Sequence, residues 1–457
     1  MNGDNRAAVA DLVRATMRRD RLPGVSVAVV DGDAPVYAEG FGARDLAGNR
    51  PATPDTLYGV GSVTKSMTAL AVTQIGEAGM LSVDDPVTEY LDIDLGDAYD
   101  EPIRLRHLLT HSSGLPSLGT SEALIGRRLR RETDTVALSS AADVRAHVEG
   151  AADQRVAPPG ERFAYCNAGY VLLGEVVEAC TGKPFAAYLD EHVFDPLGMD
   201  RATLDDSRFA MDDDHMTPYL HEDGDLVAAS FPARELTHPT GGVIASVRHL
   251  ADYLRLQLNG GRFEGTEIVS ADALRDCHEG RIETPSGPYG YGWRTRETCG
   301  RDLVGHSGSV AVSSAYVGFC PAEGVGVAVA ANSSPDYPLA HLGQGVFAAA
   351  VGEDPSDVPF FERRRRFDRL TGEYASYRGI RRAVVARDGG TLRLETGGSL
   401  GGDGRPLEPT DDPYGFVAVD EAGAREPVEF RVDDGDVTLL YDRWRFERVA
   451  DRAPEFE

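Results

Sequence analysis

Lysine is nearly missing from this chain. Of its 46 basic residues only Lys65 and Lys183 are lysine, leaving 44 arginines. Positive charge as a whole is also scarce: 74 acidic residues bring the formal net charge to −28. That balance excludes nucleic acid and anionic membranes as partners, since basic patches hold both. Long apolar runs are absent. Gly24–Val30 and Val325–Ala331 fall far short of the ~20 residues that span a bilayer. Met1 to Arg21 is polar and mixed in charge, with no signal-peptide core. The five cysteines, Cys166, Cys180, Cys277, Cys299 and Cys320, are an odd number without a C-x-x-C pair. They fit neither a disulfide framework nor a zinc knuckle. These absences predict a soluble cytoplasmic protein. The acid excess beside arginine points to a salt-rich, halophile-type cytoplasm; a GC-rich genome would explain the arginine but not the acid.

The residues that are present support a folded chain. A hydrophobic fraction of 42% suffices for a sizeable core. Gly24–Val30 and Pro35–Gly42 flank the turn Asp31-Gly32-Asp33 and read as a hairpin. Asp4–Arg19, Ser62–Gly79, Ala168–Ala179 and Tyr337–Val351 read as helices, while Val310–Gly318 and Gly324–Ala331 read as paired strands. Strands at both ends with helices between them predict one α/β domain whose ends meet in a single sheet. Ser117–Gly150 and Asp205–Asp225 read as irregular excursions over the surface. Phe360–Asp368 is a charged seam, and residues 359–369 are expected to link two domains. Beyond it, six short β-type runs between Ala383 and Arg448, separated by turns, predict a small antiparallel barrel or sandwich over 370–457.

Three segments carry chemistry. In Ser62-Val63-Thr64-Lys65 an amine lies one helical turn from a hydroxyl, near enough to accept its proton. Arginine cannot do this, because it does not lose its proton in a protein. A lysine retained here in an arginine chain therefore stands out. Lys183, beside Pro184, reads as a surface residue. Tyr165-Cys166-Asn167 offers a phenol to relay a proton and an amide to hold a carbonyl. Gly305-His306-Ser307-Gly308-Ser309 precedes an apolar strand, and Gly308 allows close backbone approach to an acyl oxygen. Taken singly, an N-cap serine accounts for the first segment and a turn histidine for the third, and Y-x-N alone carries almost no signal.

In order and spacing the three resemble the serine β-lactamase-like hydrolases, which include class C β-lactamases, D,D-peptidases, D-aminopeptidases and related esterases. The likeness extends to Leu108-Leu109-Thr110-His111-Ser112-Ser113-Gly114-Leu115, to Phe194-Asp195-Pro196-Leu197-Gly198-Met199 and to Pro239-Thr240-Gly241-Gly242-Val243-Ile244-Ala245-Ser246. It covers residues 5–350, within a domain expected to end at 358. The resemblance implies an α/β (α+β) fold, an antiparallel sheet flanked by helices plus an all-α region. It also implies an acyl-enzyme mechanism with Ser62 as nucleophile, Lys65 as base and Tyr165 as proton shuttle. Asn167 would position Lys65 and a substrate carbonyl, His306 and Gly308 would line the substrate, and the N–H groups of Ser62 and Ser309 would form the oxyanion hole. His306 stands where penicillin-recognising relatives carry a lysine, which favours peptidase, amidase or esterase chemistry over a true β-lactamase.

The carboxy-terminal module resembles the lipocalin-like domain of some archaeal and bacterial peptidases, through Leu370-Thr371-Gly372-Glu373-Tyr374. There it assists assembly or restricts access, so a homo-oligomer is an expectation. The partner is a small-molecule or peptide substrate, with no cofactor. His107 and His111 are spaced for zinc but lack the glutamate of H-E-x-x-H, and neither Asp212–Asp214 nor Asp433-Asp434 follows a calcium-loop pattern. A scaffold kept for binding or assembly is the other reading; such chains usually lose the serine or lysine present here.

Overall fold

Gly24–Asp31 carries valine at 25, 27, 29 and 30, β-branched side chains that suit a pleated strand. In a computed structural model describing residues 1–129, 138–222, 224–232, 235–397 and 404–450, this strand lies inside a seven-stranded sheet. The spatial order is Arg294–Thr298, Arg301–Ser309, Ser314–Cys320, Val325–Ala331, Gly24–Asp31, Ala34–Asp45 and Arg50–Pro51, all antiparallel. The two ends of the domain meet here, with Val27 opposite Val329 and Ala28 opposite Ala328. Ala28 and Val30 join the cluster that fills the helical region, and Val27 and Val29 are equally buried on the alternate side. Both faces are therefore covered, and each buried valine contributes roughly 1.5–3 kcal/mol. Val247–Leu258 packs against the central strands, as do Gly3–Asp20 and Ala340–Ala350, which also pack on each other.

Two expectations need correction. Residues 117–150 hold the helices Thr120–Arg128 and Ala141–Glu149, the second capped by Ser140, whose hydroxyl accepts from the Asp143 N–H. Residues 205–225 hold the helix Asp206–Met211, capped by Asp205, and the strand Tyr219–Glu222. These elements are too short to show more than one or two apolar periods amid acids and arginines. Positions 130–137 and 223 of those stretches lie outside the described residues.

The chain divides into Met1–Val358 and Pro359–Glu457. Residues 359–369, read as a linker, form the helix Pro359–Leu370 instead. Its Phe367 and Leu370 are buried in the core of the second unit, so the segment belongs to that unit rather than tethering it. That unit is a closed barrel of eight strands, with the first, Gly372–Ser376, pairing with the last, Trp444–Ala450. Along Arg425–Asp433, Val428 and Phe430 point inward while Glu429 and Arg431 face out. Val385, Leu394, Phe416, Phe430 and Leu439 fill the interior, so a side-chain core occupies this barrel. The expected β-type runs omit Gly372–Ser376 and Gly404–Pro409. The latter, GRPLEP, has two prolines and no apolar alternation.

Candidate active site

Ser62 is held from several sides. Tyr58–Gly59 pairs with Ile244–Ala245, and the Val60 N–H donates to Val243 O at 2.9 Å. The chain then turns through Gly61, at a φ of 56° that favours glycine. Ser62 sits in the short turn Gly61–Val63, just before the buried helix Thr64–Glu77. Lys65 follows, and its Nζ donates to Ser62 Oγ at 2.9 Å and to Thr240 O at 2.7 Å. Thr240 lies in the short helix His238–Gly241, tied to the lysine helix by Thr68 Oγ1 donating to Pro239 O at 2.7 Å.

The lysine side chain is 0% exposed. Its ammonium has two neutral hydrogen-bond acceptors and the rings of Tyr165 and Tyr170 at 5.0 and 5.5 Å. Burial lowers its pKa to about 7; the charges of Glu122 and Cys166 act more weakly the other way. A large fraction of Lys65 is thus a free amine near neutral pH. Burial pushes the Tyr165 phenol up, with the Ser62 side chain drawing it partly back.

On the opposite wall, Arg301–Ser309 brings its last turn against Ser62. A Cβ on Gly308 would lie 2.1 Å from Val60 O and 2.5 Å from Ser62 N, and one on Gly61 would lie 2.5 Å from Ser309 N. Only glycines let the two backbones approach this closely, setting the N–H-bearing backbones of Ser62 and Ser309 side by side. His306 is buried nearby. Its Nδ1 lies 2.7 Å from Ser307 O, an acceptor, so Nδ1 carries the proton and Nε2 accepts from Tyr289 Oη at 3.0 Å. Burial, then the Lys65 charge, lowers the His306 pKa to about 3, so the ring is neutral.

The structure brings Ser62, Lys65, Tyr165, Asn167, His306, Gly308 and Ser309 to one cleft. One expected relation differs: among the described residues no hydrogen bond joins Asn167 to Lys65, and the second acceptor is Thr240 O. Asn167 opens its own helix and lines a smaller depression beside Ser62.

Several residues of the cleft escaped the sequence reading. His111, read as part of the Leu108–Leu115 likeness and weighed as a metal ligand but given no role in the cleft, lies against Tyr165 with ring centroids 4.0 Å apart and planes tilted by 36°, and accepts from the Cys166 N–H at 3.2 Å. Burial keeps it neutral. Arg294 lies over the rings of Phe163 and Tyr289 and donates to Thr284 and Ser286. Arg296 lines the same cavity, of about 690 Å³, with Ser62, Tyr165 and His306. No short motif marks these residues; the Arg-x-Arg spacing in a strand, which puts both on one face, was the available signal. Among the described residues no cluster of His, Cys, Asp or Glu fits a metal ion, and no helix is long and apolar enough to cross a membrane.

Residues 9–346 match the Beta-lactamase family, and the chain belongs to that family. Residues 355–447 match the Pab87 octamerisation domain. Among solved structures, the octameric penicillin-binding protein homologue from Pyrococcus abyssi is 34% identical. It superposes with a TM-score of 0.89 over 97% of this chain and 99% of that one. The D-aminopeptidase of Brucella anthropi is 28% identical over 381 residues, 78% of this chain and 66% of that protein. Protein flp of Staphylococcus aureus (strain MW2) is 25% identical over 340 residues. That match takes in 74% of this chain and 65% of flp, so the chain spans less than two thirds of the length of this relative.

Proposed function

We propose that the chain is a serine hydrolase that opens amide or ester bonds of a small-molecule or peptide substrate through an acyl-enzyme. Ser62 Oγ attacks the carbonyl carbon while the free amine of Lys65 accepts its proton. The oxyanion faces the N–H groups of Ser62 and Ser309, donors worth roughly 3–4 kcal/mol each in hydrolases where they have been removed. The carbonyl–leaving-group bond breaks as Tyr165 gives up a proton to the departing group and regains one from Lys65. Water then enters by the reverse route and frees Ser62. Asn167, His306 and Gly308 line the substrate. The carrying observation is the buried Lys65 amine, 2.9 Å from Ser62 Oγ and titrating near neutrality.

Burial keeps His306 neutral, so the ring itself is not the cation that β-lactam-recognising relatives place there as lysine; we read this departure as favouring peptidase or esterase chemistry, with any carboxylate met by Arg294 and Arg296 of the same cavity. The octamerisation-domain match and the octameric homologue support a homo-oligomer assembled through the carboxy-terminal unit.

The test is intact mass after a fluorophosphonate probe. One adduct is expected on the wild type and none on Ser62→Ala. Lys65→Arg, which keeps the charge but cannot release its proton, should label at least a hundredfold more slowly. A folded wild type without a Ser62-dependent adduct would leave the scaffold reading in place of the enzyme.

A further inference from the structure

Ser62 borders two depressions of opposite charge. The larger, about 690 Å³, holds Tyr165 together with Arg294 and Arg296. The smaller, about 180 Å³, holds Asn167 and Glu122, with Ile125, Phe231 and Val310 as apolar walls.

Among the described residues, the charges in these depressions have no ion-pair partner. Arg294 and Arg296 are half-buried, and neither makes an ion pair among the described residues. Among the described residues Arg294 donates only to the Thr284 and Ser286 hydroxyls, and Arg296 makes no hydrogen bond. Asp336, exposed at the rim of the same cavity, pairs with neither. Most other arginines of this acid-rich chain that are this well covered, such as Arg44, Arg201 and Arg255, sit against a carboxylate. Two guanidiniums held side by side repel each other and favour an anion between them; a planar carboxylate matches their donor geometry. Glu122 is the converse. Exposed at the mouth of the smaller depression, it is the one charged side chain there among the described residues, has no ion pair or hydrogen bond among them, and its field reaches Lys65 and Tyr165.

The geometry points to a dipolar substrate: we propose that the cleft takes a short peptide with both ends free, its ammonium at Glu122 and its terminal carboxylate at Arg294 and Arg296. The direction rests on the acyl-enzyme reading above. Tyr165, which protonates the leaving group, shares the arginine depression, so the leaving part carries the carboxylate. The acyl part lies beside Asn167 and Glu122.

The experiment compares one dipeptide, in its L and D forms, with both ends free, N-acetylated, C-amidated, or doubly blocked. For the wild type, each block is expected to lower kcat/KM at least tenfold. Glu122→Gln should abolish the preference for a free amine and retain the preference for a free carboxylate. Arg296→Gln should do the reverse. A variant that lowers all four substrates equally, or a wild type that cleaves blocked and free forms alike or cleaves neither series, overturns the proposal. Loss of the Ser62-dependent fluorophosphonate adduct would instead overturn the acyl-enzyme reading, so the two failures are distinguishable.

Discussion

At the scale of the residue, Lys65 is both the reactive group and a burden on stability. Its pKa is about 7 in the folded chain and ~10.4 in an unfolded one. Between those values the unfolded chain binds the extra proton, so stability rises with pH across that window. At pH 7 the mismatch costs on the order of 4 kcal/mol. Lys65→Met is therefore expected to melt above the wild type near pH 7, with the gap closing toward pH 10; a gap independent of pH would refute the shift. The same pKa sets the rate. Fluorophosphonate labelling should rise with pH through about 7 as the amine loses its proton, and a flat profile between about pH 6 and 8 would remove Lys65 as base. Ser62 and Lys65 were legible because S-x-x-K is local and lysine is rare. Thr240, whose carbonyl completes the lysine's contacts, lies 175 residues away and is recruited by its backbone, which no side-chain pattern announces.

At the scale of the element, the site depends on two backbones meeting without side chains between them. Gly308→Ala would drive a methyl into Val60 O and Ser62 N. The strand end must then retreat and take the Ser309 N–H with it. A loss of roughly 10²–10³ in labelling rate is expected, with the far-UV circular dichroism unchanged; an unaffected rate would show that Ser309 is not a donor. The strands and helices near the site were readable because they are long and periodic, as with Gly24–Asp31 and Asn167–Thr181. The helix that presents Glu122 was not, being nine residues long with arginine at its end. Arg294 and Arg296 lie on an edge strand with little apolar character, so their segment did not read as a strand at all.

At the scale of the whole molecule, a net charge of −28 means self-repulsion that salt relieves. Melting temperature is expected to climb from about 0.1 to 2 M KCl as the screening length shrinks from ~10 Å to under 3 Å. A flat or falling curve would count against the halophile-type reading. Light scattering of the full chain should give a homo-oligomer, with the octamer of the Pyrococcus abyssi homologue as the expected size; a monomer in molar salt would refute it.

The central pairing of the large sheet joins residues near 25–31 to residues near 325–331. During synthesis the first of these strands leaves the ribosome some 300 residues before its partner, a wait of ~15–60 s at typical elongation rates. Throughout that interval Gly24–Asp31 has one ladder satisfied by its hairpin and the other open, with valines exposed on both faces. The nascent chain thus carries a sticky half-built sheet until translation is three-quarters done. Holdase chaperones, rather than the finished fold, would govern its yield in a foreign host.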